Sequence, residues 1–201
     1  TFDDGPGPYT EKLLDILDRY NVKATFFVTN GKPDYQNLIA QEAQRGHTVA
    51  IHSASHDYAK IYQSVDAYFA DFDEMNSIIT AQTGKAADLV RFPGGSSNTI
   101  SKKYCYGIMS QLVCAVEERG FRYCDWNVSS GDAGGTTSTS QVVANVIAGI
   151  KGNNVSVVLQ HDIKNFSVDA VEQIIQWGLS EGYTFLPITS TTPMSHHGIN
   201  N

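Results

Sequence analysis

The feature that most restricts the fold is an alternation of helix-like and strand-like segments along the whole chain. Helical spacing of apolar residues predicts helices at 10–20, 33–46, 64–84, 107–119, 140–150 and 168–182. Short β-rich runs predict strands at 23–28, 47–51, 88–92, 121–126, 155–160 and 183–188. Repeating units of roughly 30 residues favour parallel strands joined by crossover helices.

This alternation predicts a single α/β domain, built either as a barrel or as an open doubly wound sheet. Six strands are predicted within the chain, and a seventh is expected just before Thr1, which would make the first strand truncated. No linker or repeat divides the sequence. We therefore assign residues 1–188 to one domain, which would carry the catalytic function. Residues 189–201 are expected to form a loose polar tail in which His196 and His197 are solvated.

Charge and hydropathy exclude two classes of partner. The 201 residues carry a net charge of -7, and the 14 Lys and Arg residues form no basic run, which argues against nucleic acid. No window approaches the ~18 apolar residues of a membrane span. A neutral polymer or a small molecule is the expected ligand. The sequence does not define the oligomeric state.

The cysteines, Cys105, Cys114 and Cys124, match no common zinc-knuckle spacing. Their odd number excludes a complete disulfide framework. Two arrangements stay open, one disulfide with a free thiol or three reduced core thiols. We favour the second, because cysteine is often a small buried apolar residue.

Ionisable residues follow the ends of five strands, in the segments TFDDGP (1–6), HSASH (52–56), RFPGG (91–95), DW (125–126) and HD (161–162). In β/α folds the ligand site lies at the carboxyl ends of the strands. Five segments converging on that edge predict one functional site. His47 precedes its strand at the opposite end and is expected to be structural.

His52 and His56 are four residues apart, a spacing that on a helical turn places both imidazoles on one face. A carboxylate from Asp3 or Asp4 would complete a set of two histidines and one carboxylate, which suits Zn²⁺ or another first-row divalent ion. The metal's charge would offset the repulsion between the two aspartates. The second aspartate would then be free to act as a base.

Taken together, TFDDGP, HSASH, RFPGG, DW and LQH resemble the motifs of the polysaccharide deacetylase family (the NodB homology domain, carbohydrate esterase family four), in order over nearly the whole chain. The resemblance implies a distorted (β/α) barrel of about seven parallel strands. It also implies metal-dependent hydrolysis of N-acetyl or O-acetyl groups on sugars. The run RFPGGSSN is similar to the bacterial peptidoglycan-deacetylase branch.

The resemblance also implies a role for each candidate residue. Asp3 would be the general base oriented by Arg91, and His161 the general acid tuned by Asp125. The metal, expected to be zinc with cobalt or iron as alternatives, would bind Asp4, His52 and His56. Substrate contacts would come from Pro93, Gly94, Trp126 and Leu159. The family often has tyrosine where Gly94 stands, so one aromatic wall of the groove is missing here.

The expected substrate is an acetylated glycan, most of all peptidoglycan, with xylan and chitin oligomers as alternatives. An extracellular or cell-surface location follows, with any export signal before Thr1. Two other functions stay open. A non-catalytic glycan-binding domain is disfavoured by the intact motif set, and a hydrolase of small amides would have a closed cavity instead of an open groove.

Overall fold

The computed structural model describes residues 1–200, which form seven strands and seven α-helices. The strands are β1 (Phe2–Asp3), β2 (Thr25–Thr29), β3 (Thr48–Ser53), β4 (Leu89–Val90), β5 (Arg122–Tyr123), β6 (Val128–Ser129) and β7 (Val158–His161). The helices are α1 (Thr10–Arg19), α2 (Leu38–Gln44), α3 (Tyr58–Ile61), α4 (Val65–Thr83), α5 (Ile108–Glu118), α6 (Thr139–Lys151) and α7 (Asn165–Ser180). Short 3₁₀ turns cover Pro33–Tyr35 and Ser101–Lys103.

All strand pairs are parallel, in the order β5-β4-β3-β2-β1-β7-β6. The edge strands β5 and β6 are consecutive in the chain and are joined by residues 124–127 alone. So short a connection spans at most about 18 Å, whereas seven strands laid flat would be about 29 Å wide. The sheet is therefore curled into a distorted barrel, which confirms the predicted fold class.

The strands present one face to the helices and the other to the barrel interior. Phe26 packs in the main core against apolar residues of the surrounding helices, such as Leu13 and Leu17 of α1. The adjacent Phe27 belongs to a separate inner cluster with Ala50 and other side chains. This alternation follows from the two-residue repeat of a strand. It determines which residues can reach the site inside the barrel.

The structure differs from the predicted elements in several places. The predicted helix 33–46 is a 3₁₀ turn (Pro33–Tyr35) followed by the shorter α2 (Leu38–Gln44), and the one-turn helix α3 (Tyr58–Ile61) was not predicted. The first strand, β1, lies within the chain instead of before Thr1. The segment 183–188 is not a strand; Ile188 packs in the inner cluster, its N–H donates to Thr25 Oγ1, and its carbonyl accepts from Thr48 Oγ1. The missed strand is β6, whose two residues are too few to show a periodic pattern.

The C-terminal segment is held against the protein at its two histidines, of which His197 is half-buried and His196 is exposed but stacked on an aromatic ring. The His196 ring stacks on the Tyr123 ring with centroids 3.9 Å apart. His197 lies edge-on to Trp126, with ring centroids 4.7 Å apart. These ring contacts, with the 3.0 Å contact between His196 Nε2 and the Tyr123 carbonyl of β5, hold both side chains in place. The expectation of a solvated side chain is wrong for His197, whereas His196 is exposed as expected.

The remaining expectations concern single residues. His47 is buried and accepts the Ala24 N–H at Nδ1, which confirms a structural role. All three thiols are free, but only Cys124 is buried and Cys114 is exposed, so the expected core location is wrong for Cys114. No helix within residues 1–200 is long and apolar enough to cross a membrane.

Candidate metal and catalytic centre

β1 places two neighbouring aspartates at the carboxyl edge of the sheet, between β2 and β7. Asp3 pairs in register with His161 and is buried. Asp4 leaves the strand with a φ of 71°, a left-handed conformation that is uncommon for a residue other than glycine. Thr29 of β2 holds this turn, because its hydroxyl donates to the Asp4 carbonyl at 2.9 Å. The two adjacent carboxylates consequently reach different partners.

Asp3 is paired with Arg91, a fully buried side chain. Arg91 Nη1 donates to Asp3 Oδ1 at 2.8 Å, and the other guanidinium nitrogens donate to the carbonyls of Cys124 and Asp125. A buried cation is tolerated when a carboxylate and carbonyl oxygens satisfy its donors. Asp3 Oδ2 lies 4.0 Å from His52 Nε2, so its other oxygen faces the neighbouring histidines.

Asp4, His52 and His56 bring their ligand atoms within 4.8 Å of one another. Asp4 Oδ1 lies 3.4 Å from His52 Nε2 and 3.3 Å from His56 Nε2. His52 Nδ1 lies 2.7 Å from the Arg91 carbonyl, which can only accept, so Nδ1 carries a proton. In the neutral ring the Nε2 lone pair then points towards Asp4. The sequence prediction of these three residues as one cluster matches the geometry.

This donor set fits a divalent cation. Asp4 Oδ1 is buried and has no hydrogen-bond partner among residues 1–200. Burial acts to raise the pKa of Asp4, but the electrostatic effect of the nearby His52, His56 and His161 imidazoles outweighs it and holds the pKa below its ordinary range. An ionised oxygen facing two imidazole nitrogens is completed by a first-row metal ion, with zinc, cobalt and iron all compatible.

A carboxylate from α4 holds the segment that carries the two histidines. Asp71 is buried, and its oxygens accept from the Ser53 hydroxyl, the Ala54 N–H, and both the N–H and the hydroxyl of Ser55. His56 has a φ of 51°, and its N–H donates to Ser53 Oγ at 2.8 Å. Asp71 is a site-supporting residue that sequence reasoning missed, since a helical aspartate carries no local signal of a long-range contact.

His161 pairs with Asp132, and not with Asp125 as the resemblance implied. His161 Nδ1 lies 2.8 Å from Asp132 Oδ1, and the His161 N–H donates to Asp132 Oδ2 at 2.8 Å. Ser167 also donates to this carboxylate at 2.6 Å. Asp132 follows β6. Because β6 was not predicted, Asp132 was not recognised as a residue at the end of a strand. The His161 Nε2 atom lies 3.8 Å from Asp4 Oδ2 and faces the centre.

Asp125 lies instead in the connection between β5 and β6. Its carboxylate accepts from the N–H and hydroxyl of Ser96 and from the N–H of His197. Only its backbone carbonyl, through Arg91, is joined to the centre. The predicted contact with His161 is therefore wrong.

The predicted substrate residues come from three places, which are the loop after β4, the connection after β5, and β7 itself. The Pro93 carbonyl accepts the Tyr62 hydroxyl, and Gly94 is exposed with a φ of 77°. The half-buried ring of Trp126 lies 5.7 Å from Arg91 Cζ. Leu159 is buried in β7, two residues before His161 and on the same side of the strand.

Arranged around one point are an oriented carboxylate, a three-residue metal-ligand set and a carboxylate-paired histidine. Such a set at the carboxyl end of a (β/α) barrel defines the class of metal-dependent hydrolases. The chain belongs to the polysaccharide deacetylase family, because the family model described as "Polysaccharide deacetylase" matches residues 1–106, more than half of it. The family named from the sequence motifs is thereby confirmed.

Solved and curated relatives agree with this membership. The crystal structure of the catalytic domain of a peptidoglycan N-acetylglucosamine deacetylase from Eubacterium rectale is 70% identical, with a TM-score of 0.99, over 100% of this chain and 91% of that one. A peptidoglycan-N-acetylglucosamine deacetylase of Bacillus cereus is 33% identical over 92% of this chain, which spans 66% of the relative. A bifunctional xylanase/deacetylase of Pseudobutyrivibrio xylanivorans is 31% identical over the whole of this chain, which spans 31% of the relative.

Proposed function

We propose that this chain hydrolyses the N-acetyl groups of N-acetylglucosamine residues in bacterial peptidoglycan, with a bound divalent metal. The observation that carries the proposal is the unpartnered Asp4 Oδ1 facing His52 and His56, with the Asp3–Arg91 and His161–Asp132 pairs on either side. Its relatives from Eubacterium rectale and Bacillus cereus carry the name of that activity.

Asp4, His52 and His56 would hold the metal, with zinc as the expected ion. A bound zinc ion would polarise the acetyl carbonyl and lower the pKa of a coordinated water to about 7. The chain itself supplies three ligands, which leaves coordination positions for water and substrate, as in catalytic zinc sites.

Asp3 acts as the general base in this proposal. The Arg91 guanidinium fixes one carboxylate oxygen of Asp3, and the other oxygen faces the His52 side of the centre. A positioned carboxylate that accepts a proton from the attacking water contributes typically 10²–10⁴-fold to the rate. Because Arg91 is itself held by two backbone carbonyls, Asp3 has little freedom to turn away.

His161 acts as the general acid that protonates the departing amine nitrogen. Burial acts to lower the pKa of His161, but the hydrogen bond and charge of Asp132, with Asp3 and Asp4, raise it above its ordinary value. Since Nδ1 faces Asp132, the proton to be transferred is on Nε2, the atom directed towards the centre. An imidazolium held near neutral pH suits this role.

Pro93, Gly94, Trp126 and Leu159 would contact the substrate at the barrel mouth. The Gly94 N–H donates to no atom of residues 1–200, so it is available to the acetyl oxygen as the charge on that oxygen develops. Trp126 offers an aromatic face for a sugar ring. A glycan outside the cell implies an extracellular or cell-surface location for the whole protein.

The test is acetate release from N-acetylglucosamine oligomers, peptidoglycan and acetylated xylan. Protein stripped by a chelator is assayed alone and after addition of Zn²⁺ or Co²⁺. We expect release only after metal addition and fastest from peptidoglycan. Preference for xylan would instead favour the activity in the name of the Pseudobutyrivibrio relative. Metal binding without release from any glycan would contradict the proposal and support a glycan-binding or small-amide function.

A further inference from the structure

Asp125 is a fully buried aspartate that the chemistry above does not use. Its Oδ1 accepts the Ser96 N–H at 2.8 Å, while Oδ2 accepts the Ser96 hydroxyl at 2.6 Å and the His197 N–H at 2.9 Å. The donors come from two segments about 100 positions apart. One carboxylate therefore joins the loop of residues 93–98 to the C-terminal segment.

The backbone of Asp125 extends the same connection in both directions. Its N–H donates to the Ser195 carbonyl at 2.7 Å, and its carbonyl accepts Arg91 Nη2 at 2.9 Å. Arg91 is the residue that orients Asp3. Three hydrogen bonds in series, passing through Asp125 and Arg91, thus connect Ser195 of the C-terminal segment to the proposed base Asp3.

His197 supplies a second attachment through its ring. Its Nε2 lies 2.6 Å from the Trp126 carbonyl, which can only accept, so Nε2 carries a proton and donates. In the neutral ring, Nδ1 then accepts the Ser97 hydroxyl at 3.0 Å. The ring also lies edge-on to the Trp126 indole, with an interplanar angle of 82°. Asn200 Nδ2 adds a longer contact of 3.4 Å to the Ser97 carbonyl.

We propose that residues 195–200 form a clasp, anchored on Asp125, that positions the 93–98 loop and Trp126 as one wall of the substrate groove. Asp125 is a positioning residue in this account, and so is His197. The inference rests on the proposed function, since the groove is the one that would hold the glycan.

The contacts of the 93–98 loop indicate that the clasp acts on glycan binding and not on metal binding. At Gly94, an added Cβ would lie 2.9 Å from the Tyr58 hydroxyl, and the Tyr58 ring is 5.5 Å from that of His56. At Gly95, an added Cβ would lie 2.9 Å from the Trp126 indole. The loop therefore runs from the metal-ligand side to Trp126, and the clasp holds only its far end. Loosening the clasp should impair glycan binding and leave metal affinity unchanged.

The experiment compares Asp125→Asn and His197→Ala with the unaltered chain. The Ser96 and His197 N–H groups donate to different oxygens of Asp125, and in asparagine one of these two oxygens is replaced by an NH₂ donor, so one of the two bonds is lost. Asp88→Asn is the control, because Asp88 is an exposed aspartate that pairs with Arg122 at the opposite end of β4 and β5. We expect both test variants to raise KM for N-acetylglucosamine oligomers roughly tenfold, as for a lost buried hydrogen bond, with a smaller change in kcat.

Tryptophan fluorescence gives a readout that does not depend on turnover. The chain has two tryptophans, so Trp177→Phe leaves Trp126 as the only emitter. In that background we expect both test variants to shift the emission to longer wavelength, and zinc affinity to match the control. If Asp125→Asn fails to fold, His197→Ala alone decides.

Unchanged KM and unchanged Trp126 emission in a folded variant would overturn the clasp. Equal losses of kcat and zinc affinity would also overturn it, since they would indicate a general scaffold role. Failure of the proposed function would look different, because the unaltered chain would then release no acetate. In that case the clasp would still be tested by the Trp126 emission of the variants and by their binding of N-acetylglucosamine oligomers, measured by fluorescence.

Discussion

At the scale of single residues, the partner of His161 determines which of its ring nitrogens faces the centre. Asp132 can only accept when ionised, so it fixes the proton on Nδ1 and directs Nε2 into the centre. Asp132 also accepts the His161 N–H and the Ser167 hydroxyl, which hold the carboxylate in place. A neutral substitute would lose both the charge and the orientation.

We predict that Asp132→Asn lowers kcat by roughly 10²–10⁴-fold, the usual contribution of an acid–base group. The loss of the Asp132 charge should also lower the pKa of His161. Since the general acid must be protonated, the rate falls as pH rises through that pKa, so the alkaline limb of the kcat profile should move to lower pH. The Asp125→Asn variant serves as the contrast, with its main effect on KM. A nearly normal kcat with an unmoved alkaline limb would refute the assignment.

Gly5 shows how a small residue maintains the geometry of its neighbour Asp4. A Cβ at Gly5 would collide with the Asp162 carboxylate, whose Cγ would lie 2.5 Å away. Carboxylate and backbone are both fixed here, since Thr10 donates to Asp162 and the Thr29 N–H donates to the Gly5 carbonyl at 2.6 Å.

We predict that Gly5→Ala shifts Asp4, weakens metal binding and lowers stability by about 1–3 kcal/mol, as overpacking usually does. Gly134→Ala is the control, because no atom lies within 4 Å of its added Cβ. Isothermal titration with Zn²⁺ and urea unfolding measure the two effects. Equal metal affinity in both variants would show that the turn tolerates a side chain.

At the scale of elements, the site is assembled where β1, β3, β4 and β7 end, and α4 secures one of these ends. Asp71 of α4 accepts four hydrogen bonds from the segment between His52 and His56. The helix is itself anchored at its start, where the Ser64 side chain accepts the Ala67 N–H. The proposed metal ligands His52 and His56 thus depend on a helix that itself contributes no residue to the Asp4–His52–His56 cluster.

We predict that Asp71→Asn weakens metal binding about 10–100-fold, the usual effect of removing a partner that orients metal ligands. The amide can accept from only one of the Ala54 and Ser55 N–H groups, so the segment bearing His56 should loosen. Asp73→Asn, an exposed aspartate of the same helix that pairs with Arg119, is the control. Competition with a chromogenic chelator measures the affinity; matching values for the two variants would contradict the prediction.

At the scale of the whole molecule, buried carboxyl groups make stability depend on pH. Glu42 and Asp162 are fully buried, and three of their four carboxylate oxygens have no hydrogen-bond partner within residues 1–200. Burial raises the pKa of Asp162 to about 7, against a partial opposing effect of the Thr10 hydrogen bond. Burial, with a smaller contribution from Asp162, also raises the pKa of Glu42 well above its ordinary value.

We predict that Asp162→Asn becomes progressively more stable, relative to the unaltered chain, as pH rises from about 4 to 7. In that window the folded chain keeps a proton on Asp162 that the unfolded chain releases near pH 3.9, so the unfolding free energy of the unaltered chain falls with pH. Three pKa units at about 1.4 kcal/mol each set an upper bound of about 4 kcal/mol.

Urea unfolding with chelator present, at several values across that pH range, measures this difference. Asp169→Asn is the control, since its carboxylate lies at the surface and pairs with Lys12. The difference between Asp162→Asn and the unaltered chain should grow with pH, while the control difference stays level. Parallel curves for all three proteins would show that Asp162 is ionised throughout.

The sequence by itself determined the features that arise from local pattern and residue type. Alternating apolar periodicities predict parallel strands with crossover helices, and the motifs placed Asp3, Asp4, His52, His56, Arg91 and His161 at one edge of the sheet. These predictions succeeded because the apolar pattern of a short segment identifies a strand and its carboxyl end, and therefore the residues that follow that end. Only tertiary structure decided that Asp132, and not Asp125, pairs with His161. The same holds for the contacts of Asp71 with the segment between His52 and His56, and for the return of the C-terminal segment to Trp126. Those contacts join residues far apart in sequence, and their energy comes from burial and hydrogen bonds that exist only once the barrel has closed.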